Sequence, residues 1–298
     1  MPIYNARYRG GFPTSEYLFE KLTWPEVNEA VRAGRVAILP AATIEDHGLH
    51  LPVDTDVVIA TAVCERTARL IPDEVVLLPC VKVGYSPHHV DGPGVLTARW
   101  DVFIEYVKDI TTSLAYHGFR KILIVNGHGS NRPNLDLAAR LTVVERPDVQ
   151  CAYLSWWDLL SVQQVFGAER ESMWTSHACE LETSVYLAVD PAHVQMDKAR
   201  LDVHPNITRH FWSDLAGRRP DGYANPVSLV EYWSTVTETG TLGDPRCATA
   251  EKGEHVLAAA AGELVEIVRE LRDRPVRPRV PRQLPEVHAA NVARGLFR

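Results

Sequence analysis

Short apolar runs alternate with stretches of helical periodicity along most of the chain. The apolar runs predict four buried strands, at 36–39, 75–78, 121–125 and 151–155. Apolar residues spaced three and four apart predict helices over 24–33, 55–70, 100–117, 135–144, 178–189 and 249–271. Strands that alternate with helices indicate an α/β fold, in which helices cover both faces of a mostly parallel central sheet.

Three segments fall outside this alternation. Residues 1–23 are predicted to form an ordered arm, and residues 190–245, rich in Pro, Asp, His and Trp, an excursion that covers the substrate. The proline-rich tail over 272–298 is predicted to lie extended on the surface. We therefore expect residues 1–298 to form a single α/β domain with an arm and a tail.

Composition narrows the class of protein. The chain has 298 residues, of which 46% are hydrophobic and 23% charged, as is typical of globular proteins. A formal net charge of −7 gives no basic footprint, so we expect no nucleic-acid partner. The five cysteines form no C-x-x-C pair, and we expect reduced thiols in the cytoplasm. Since the N-terminus lacks an apolar signal core and no segment has the roughly 18 apolar residues of a membrane span, we expect no membrane association.

The stretch from 36 to 60 carries the first candidate chemistry. Its strand leads into a polar loop with Glu45 and His47, and Asp56 lies at the start of the next helix. Such loops lie at the carboxyl edge of a parallel sheet, where active sites form. Zinc and manganese accept carboxylate and imidazole ligands, and the two oxygens of Asp56 can bridge two ions. The plainer alternative is a solvated loop with Asp56 as a helix cap.

Two later segments add candidate ligands. His128 follows the strand at 121–125 and lies between two glycines, which let a ligand approach closely. Glu182 lies near the start of the helix at 178–189, and Glu180 can serve instead, since residues two apart on a helix face different directions. The alternatives are a simple glycine turn around His128 and an acid that stabilises the helix N-terminus at Glu182.

These residues together predict a binuclear metal centre. Two ions that share a water activate it at neutral pH and polarise a carbonyl group. The candidate ligands are Glu45, His47, Asp56, His128 and Glu182.

Five motifs, in this order, resemble those of the creatininase family of metal-dependent amidohydrolases. They are TIEDHGLHLPVDTD, GYSPHHVDGPGVLT, VNGHGSN, SHACELETS and GDPRCATAEKG, and the resemblance covers roughly residues 36–270. It implies a three-layer α/β/α sandwich, two divalent ions (zinc or manganese) per chain, a small-molecule substrate and, commonly, a homohexamer.

The resemblance also implies roles for individual residues. It makes Glu45, Asp56 and His128 ligands of one ion, and His47 and Asp56 ligands of the other. His177 matches a histidine that transfers a proton near the scissile bond. Trp157 and Trp174 match tryptophans of the substrate pocket, although Trp174 lies one residue closer to His177 than in the family pattern. Ordinary packing is the alternative for His177 and both tryptophans.

The chain departs from the creatininase pattern at Ser130, where creatininase has a metal-binding glutamate. The second ion therefore needs Glu182 or another group, or it binds weakly. The adjacent histidines His88 and His89 are left outside the ligand set, since at most one of them can face a site on one side of their loop.

Three functions are compatible with these observations. In the first, a metal-activated water attacks the carbonyl of a small polar cyclic amide or formamide and breaks a C–N bond. In the second, the same metal site opens the ring of a cyclic keto-polyol, such as an oxidised inositol, by C–C hydrolysis. The third is a non-catalytic metal-binding assembly protein, but a structural zinc site is normally rich in cysteine, and the five cysteines are not spaced for one.

Overall fold

A parallel sheet of four strands forms the centre of the fold. The computed structural model describes residues 16–212, 214–216 and 227–293. The strands are β1 (Val36–Ala41), β2 (Val75–Leu77), β3 (Lys121–Asn126) and β4 (Gln150–Ser155), in the spatial order β2-β1-β3-β4. Two short strands, β5 (Thr175–His177) and β6 (Leu242–Gly243), form a separate antiparallel pair.

Helices cover both faces of this sheet. They are α1 (Trp24–Arg32), α2 (Thr55–Leu70), α3 (Trp100–His117), α4 (Arg132–Glu145), α5 (Leu160–Glu169), α6 (Glu180–Val189), α7 (Ala250–Asp273) and α8 (Pro285–Ala293). On one face the sheet packs against α2, α5, α6 and α7, and on the other against α1, α3 and α4. The predicted three-layer α/β/α sandwich is thereby confirmed.

The alternation of side chains along β1 explains the two layers. Val36 and Ile38 belong to one apolar cluster, whereas Ala37 and Leu39 belong to the other. Successive side chains of a strand point to opposite faces, so a strand that is apolar at every position needs cover on both sides. The strand also continues through Pro40, whose carbonyl accepts a hydrogen bond from the Val81 N–H at 2.9 Å.

The tail, α5 and the β5–β6 pair differ from the predicted elements. The tail over 272–298 is not extended throughout, because α7 continues to Asp273 and α8 forms over Pro285–Ala293. Pro285 suits the first turn of a helix, where its missing N–H would have no intrahelical partner. The helix α5 is absent from the predicted elements.

Parts of the arm, the excursion and the tail lie outside the described residues. These parts are 1–15, 213, 217–226 and 294–298. Of the predicted arm, Leu18 forms a bridge to Leu77 of β2, and Thr23 precedes α1, with its N–H donating to Glu26 Oε2 at 2.7 Å. No described helix combines the length and the apolar composition that crossing a membrane requires.

Two glycines of α7 predict opposite effects on stability. A side-chain carbon at Gly253 would overlap the backbone carbonyl of Ser184 in α6, whereas one at Gly262 would meet no atom of the described residues within 4 Å, its own stretch of helix backbone aside. Gly253→Ala should therefore lower the free energy of unfolding by about 1–3 kcal/mol, because the two helices must separate. Gly262→Ala should raise it by up to about 1 kcal/mol, because alanine favours the helix. Chemical denaturation of both variants checks this, and an equal effect of the two changes would contradict it.

Candidate metal centre

The ends of β1 and β3 lie side by side, which brings their polar loops together. Ala41 is paired with Asn126, and the Gly127 N–H donates to the Ala41 carbonyl at 2.8 Å. A side-chain carbon at Gly127 would lie 2.8 Å from both Ala60 Cβ and the Asp56 carbonyl oxygen. Glycine is needed here for close approach of β3 to α2, and this places His128 beside Asp56.

Buried acidic and imidazole side chains converge at this edge of the sheet. They form a carboxylate–imidazole cluster of Glu45, His47, Asp56, His89, His128, His177 and Glu182. Asp56 stands between two of the imidazoles, with Oδ1 at 3.2 Å from His47 Nε2 and Oδ2 at 3.2 Å from His128 Nδ1. Glu45 Oε1 lies 3.1 Å from the same His128 nitrogen, and Glu45 Oε2 accepts a hydrogen bond from the Ser86 hydroxyl at 2.5 Å.

Backbone carbonyls orient His47 and His128 from outside the cluster. His47 Nδ1 lies 3.3 Å from the Glu45 carbonyl oxygen, and His128 Nε2 lies 3.2 Å from the Tyr85 carbonyl oxygen. Because a carbonyl oxygen only accepts, each outer nitrogen carries the hydrogen. The inner nitrogens, Nε2 of His47 and Nδ1 of His128, face the carboxylates as metal-binding histidines do.

Asp46 orients the other two histidines in the same way. His177 Nε2 lies 2.7 Å from the Asp46 carbonyl oxygen, and His89 Nδ1 lies 3.0 Å from Asp46 Oδ1. Their inner nitrogens approach Glu45 Oε1, at 3.9 Å for His177 Nδ1 and 3.8 Å for His89 Nε2. One residue thus orients two side chains, through its backbone and its carboxylate.

The contacts of Glu180 and Glu182 separate the two acidic candidates of α6. Glu180 is engaged elsewhere: Lys252 Nζ lies 2.7 Å from its Oε1, and the Ser172 N–H donates to its Oε2 at 2.7 Å. Glu182 belongs to the cluster, since a carboxylate oxygen of it lies within 4.8 Å of donor atoms of His47 and His177. Glu182 is therefore the acid of this helix that can reach a metal ion at the cluster.

The donor atoms of the cluster fit divalent cations. His47 Nε2, Asp56 Oδ2 and Glu182 Oε2 are buried and have no hydrogen-bond partner in the described residues. The first two are within ion-pair distance of neighbours but lack hydrogen-bond geometry, as expected of ligand atoms that face a shared centre. Buried polar atoms without hydrogen-bond partners are energetically costly and rare, so three such atoms in one cluster fit a site that binds cations.

Electrostatics in the cluster also favours cations. Burial lowers the pKa of His47, but the carboxylates of Asp56, Glu182 and Glu45 together outweigh burial and raise that pKa to about 10. Burial likewise lowers the pKa of His128, but the carboxylates of Glu45 and Asp56 together raise it to about 10. In the metal-free protein both imidazoles therefore hold protons at neutral pH, in positions that a metal ion would take over.

The pKa values of His177 and Glu182 shift in the directions that burial favours, towards the uncharged form of each side chain. Burial, together with the positive charge of His47, lowers the pKa of His177 well below its ordinary value. Burial raises the pKa of Glu182 to about 7. His177 is therefore an uncharged imidazole at neutral pH, able to accept a proton at Nδ1.

The two predicted substrate tryptophans lie in different surroundings. Trp157 is buried in the apolar core, 5.8 Å from the Trp156 ring, with the Arg132 guanidinium 5.3 Å from its centroid. Trp174 is half-buried just before β5, and its carbonyl would meet a side-chain carbon at Gly243. A substrate contact of either residue remains a prediction.

The structure adds two residues that the sequence did not assign to the site, His89 and Trp233. Of the adjacent pair, His89 faces the cluster, whereas His88 Nε2 lies 3.1 Å from Ser130 Oγ. The loop position of His89 beyond β2, at the carboxyl edge of the sheet, was the available signal. Trp233 comes from the excursion and packs on His89 and His177, with no local pattern that marks it.

Substitution of Glu182 and of Glu180 should have different consequences. Glu182→Gln should lower the metal content per chain, because an amide is a poor ligand for these ions. Glu180→Gln should keep the metal but lower the free energy of unfolding by roughly 1–3 kcal/mol, because it loses the charged partner of Lys252. Metal analysis and denaturation of both purified variants check this. Metal loss in Glu180→Gln alone would reverse the assignment.

The stability of the metal-free protein should depend on pH. The pKa values of His47 and His128 rise from 6.5 when unfolded to about 10 when folded, so their protonation stabilises the fold fully below pH 6.5. This contribution is lost as the pH rises towards 10. Thermal unfolding of chelated protein across this range should therefore show a falling midpoint. Metal-loaded protein, in which these nitrogens bind metal, should lack this decline, and equal slopes for the two forms would contradict the expectation.

Comparison with known proteins agrees with this geometry. The family model "Creatininase: Creatinine amidohydrolase" matches residues 20–268. The chain is 30% identical over 265 residues to a creatinine amidohydrolase of Pseudomonas putida, covering 84% of this chain and 95% of that protein. It is 25% identical over 276 residues to a 3-dehydro-scyllo-inosose hydrolase of Thermotoga maritima, covering 88% of this chain and 85% of that protein.

Solved structures give the same result. A structure named "Creatininase Mn" matches with a TM-score of 0.71 and 27% identity, and the match covers 87% of this chain and 100% of that one. The expectation of a hydrolase is confirmed over that of a non-catalytic metal-binding protein. With its sheet, its carboxylate–imidazole cluster and a family match over most of its length, the chain belongs to the creatininase family of metal-dependent hydrolases.

Proposed function

We propose that the chain is a binuclear metal-dependent hydrolase that breaks a C–N bond in a small polar cyclic amide or formamide. The observation that carries this proposal is the position of Asp56. Its two carboxylate oxygens face two different imidazoles, each at 3.2 Å. One buried carboxylate can therefore serve two ions, as in binuclear hydrolases.

The cluster divides into two ligand sets that share Asp56. Glu45, Asp56 and His128 would hold one ion, and His47, Asp56 and Glu182 the other. The first set is supported by His128 Nδ1, which lies 3.1 Å from Glu45 Oε1 and 3.2 Å from Asp56 Oδ2. The second is supported by His47 Nε2, which lies 3.2 Å from Asp56 Oδ1, and by a group of donor atoms within 4.8 Å of one another that contains His47 and Glu182. Zinc and manganese both accept such mixed oxygen and nitrogen ligands.

The protein's own contribution to the reaction centres on His177. The bound ions supply Lewis acidity, which activates water and polarises a carbonyl. His177 Nε2 is fixed by the Asp46 carbonyl, so Nδ1 is the atom that exchanges protons with the site. Since burial keeps this imidazole uncharged, it first accepts a proton from the attacking water and then delivers it to the leaving nitrogen.

A second substrate class remains a candidate because of one relative. The Thermotoga maritima protein, an inosose hydrolase by name, matches 88% of this chain. The same cluster would then open a cyclic keto-polyol by C–C hydrolysis, with His177 delivering the proton to the leaving carbon. A panel with both substrate classes separates the two functions.

Two features of the proposal concern assembly and compartment. We extend the proposal to a homohexamer, on the family resemblance and on Val102 and Tyr106, which lie one turn apart on α3 and are 50% and 55% exposed. Native mass in solution tests this, and a monomer would contradict it.

All five cysteines are free thiols, which supports a reducing compartment such as the cytoplasm.

The first test measures metal content and hydrolysis together. Purified protein should contain two divalent ions per chain and hydrolyse one member of a panel of creatinine, formamides and oxidised inositols. Activity should disappear on chelation and return with zinc or manganese. Metal-loaded protein without activity on any compound would contradict the proposed function.

Three variants separate binding of metal from transfer of protons. Asp56→Ala and His128→Ala should lose metal and activity together, because each removes a ligand. His177→Ala should keep its metal but lose roughly 100- to 10,000-fold in kcat, the usual effect of removing a general acid–base group. Metal analysis beside turnover measurements checks this. Unchanged kcat in His177→Ala would remove that residue from the mechanism.

A further inference from the structure

Trp233 covers the carboxylate–imidazole cluster on the side of its histidines. The indole stacks on His89, with ring centroids 4.5 Å apart and an interplanar angle of 23°. It also meets His177 in an edge-to-face contact at 4.9 Å. A third imidazole, that of His88, lies 6.1 Å away. The tryptophan therefore touches the proposed proton-transfer residue and the histidine beside it.

The segment that carries Trp233 is fixed in place by hydrogen bonds to two other parts of the chain. The hydroxyl of the next residue, Ser234, donates to Asp91 Oδ2 in the loop that also carries His89. Beyond it, Asp202 Oδ2 accepts from the Thr237 hydroxyl at 2.7 Å and from the Glu238 N–H at 2.9 Å. Asp202 in turn bridges to Gly243 of β6. The position of the indole over the cluster is therefore built into the fold.

The indole N–H of Trp233 lacks a partner. Nε1 is buried and has no hydrogen-bond partner in the described part of the chain. Buried tryptophan N–H groups usually find an acceptor, because an unmade hydrogen bond in a dry site is costly. The Trp233 N–H lies in a ring that packs on His89 and His177. We infer that its acceptor is an oxygen atom of a bound molecule.

We propose that Trp233 is a substrate-binding residue that determines specificity: its Nε1–H donates a hydrogen bond to an oxygen of the substrate, and its ring closes the site. This inference rests on the proposed function, since the substrate is the molecule that the cluster hydrolyses.

The charges around the site indicate the class of that substrate. Four carboxylates surround it, those of Glu45, Asp46, Asp56 and Glu182. Two divalent ions would cancel their charge, which favours an uncharged ligand. The substrate is then a neutral ring or formyl compound with a second oxygen beside the reacting carbonyl. Compounds that lack the second oxygen would leave the indole N–H unpaired and be discriminated against.

The kinetic test compares Trp233→Phe with a matched control. Phenylalanine keeps an aromatic ring but removes the N–H donor together with part of the indole ring, so the test compares two compounds that differ only in the second oxygen. The control is Trp100→Phe on α3, where the side chain is 58% exposed and outside the cluster. In metal-loaded protein, Trp233→Phe should raise KM by roughly 3- to 10-fold for a panel compound with a second oxygen, the effect of one uncharged hydrogen bond. The kcat should change less than KM, and the KM of the control should match that of the wild type.

A compound without the second oxygen provides the discriminating readout. Its KM should be the same for the wild type and for Trp233→Phe, because it makes no bond to the indole. If Trp233 serves only to pack, both compounds should be affected alike, or the metal content or melting temperature should fall; either result would overturn the proposal.

A binding measurement keeps this inference separate from the proposed function. Each panel compound is titrated into metal-loaded wild type, Trp233→Phe and Trp100→Phe while tryptophan fluorescence is recorded. A saturable change in the wild type and the control that is absent from Trp233→Phe supports the contact. If no compound distinguishes wild type from Trp233→Phe, the inference fails even where turnover is seen. If the compounds bind but none is turned over, the result contradicts the proposed function and not the contact with Trp233.

Discussion

The centre depends on hydrogen bonds that hold its imidazoles from outside. His47, His128 and His177 each direct one ring nitrogen to a backbone carbonyl, and His89 directs one to the Asp46 carboxylate. These contacts decide which nitrogen faces the carboxylates. Without these hydrogen bonds the rings could turn and withdraw their inner nitrogens from the carboxylates. The buried negative charges of the carboxylates would then repel one another. Preorganisation of this kind is how a protein keeps ligands in place before the metal arrives.

The parallel sheet delivers these contacts through its register. β1 and β3 end side by side at Ala41 and Asn126, and the Asn126 side chain donates to the His128 carbonyl at 2.7 Å and to Ser155 Oγ of β4 at 3.0 Å. Three strand ends are thus tied together at one edge. Gly127 then lets the backbone pass close to α2, so the position of His128 is set by strand pairing and by the absence of a side chain.

Much of this was predictable from local patterns, and the rest depends on contacts between distant residues. The apolar strands and the polar loops after them indicated the fold, as well as Glu45, His47, Asp56 and His128. Glu180 and Glu182 are equivalent in the local pattern, and tertiary contacts separate them: Glu180 pairs with Lys252, 72 residues beyond it, whereas Glu182 lies beside His47 and His177. His89 and Trp233 likewise gain their places through tertiary contacts, and α5 lacks the clear amphipathic spacing that marks α7.

The resemblance to creatininase implies a glutamate at the position of Ser130, and we propose that α6 supplies the carboxylate that Ser130 lacks. Ser130 pairs with His88, so the proposed second ion depends on Glu182, which lies beside His47 and His177. The start of α6 is held by Ala178, in the left-handed region at φ 45°, and by the Glu180–Lys252 pair. A residue other than glycine in that region is strained, by about 1–3 kcal/mol, and persists only where its surroundings enforce it. The close packing of α6 on α7 at Gly253 is part of that enforcement, so a contact remote from the cluster helps to position a proposed ligand.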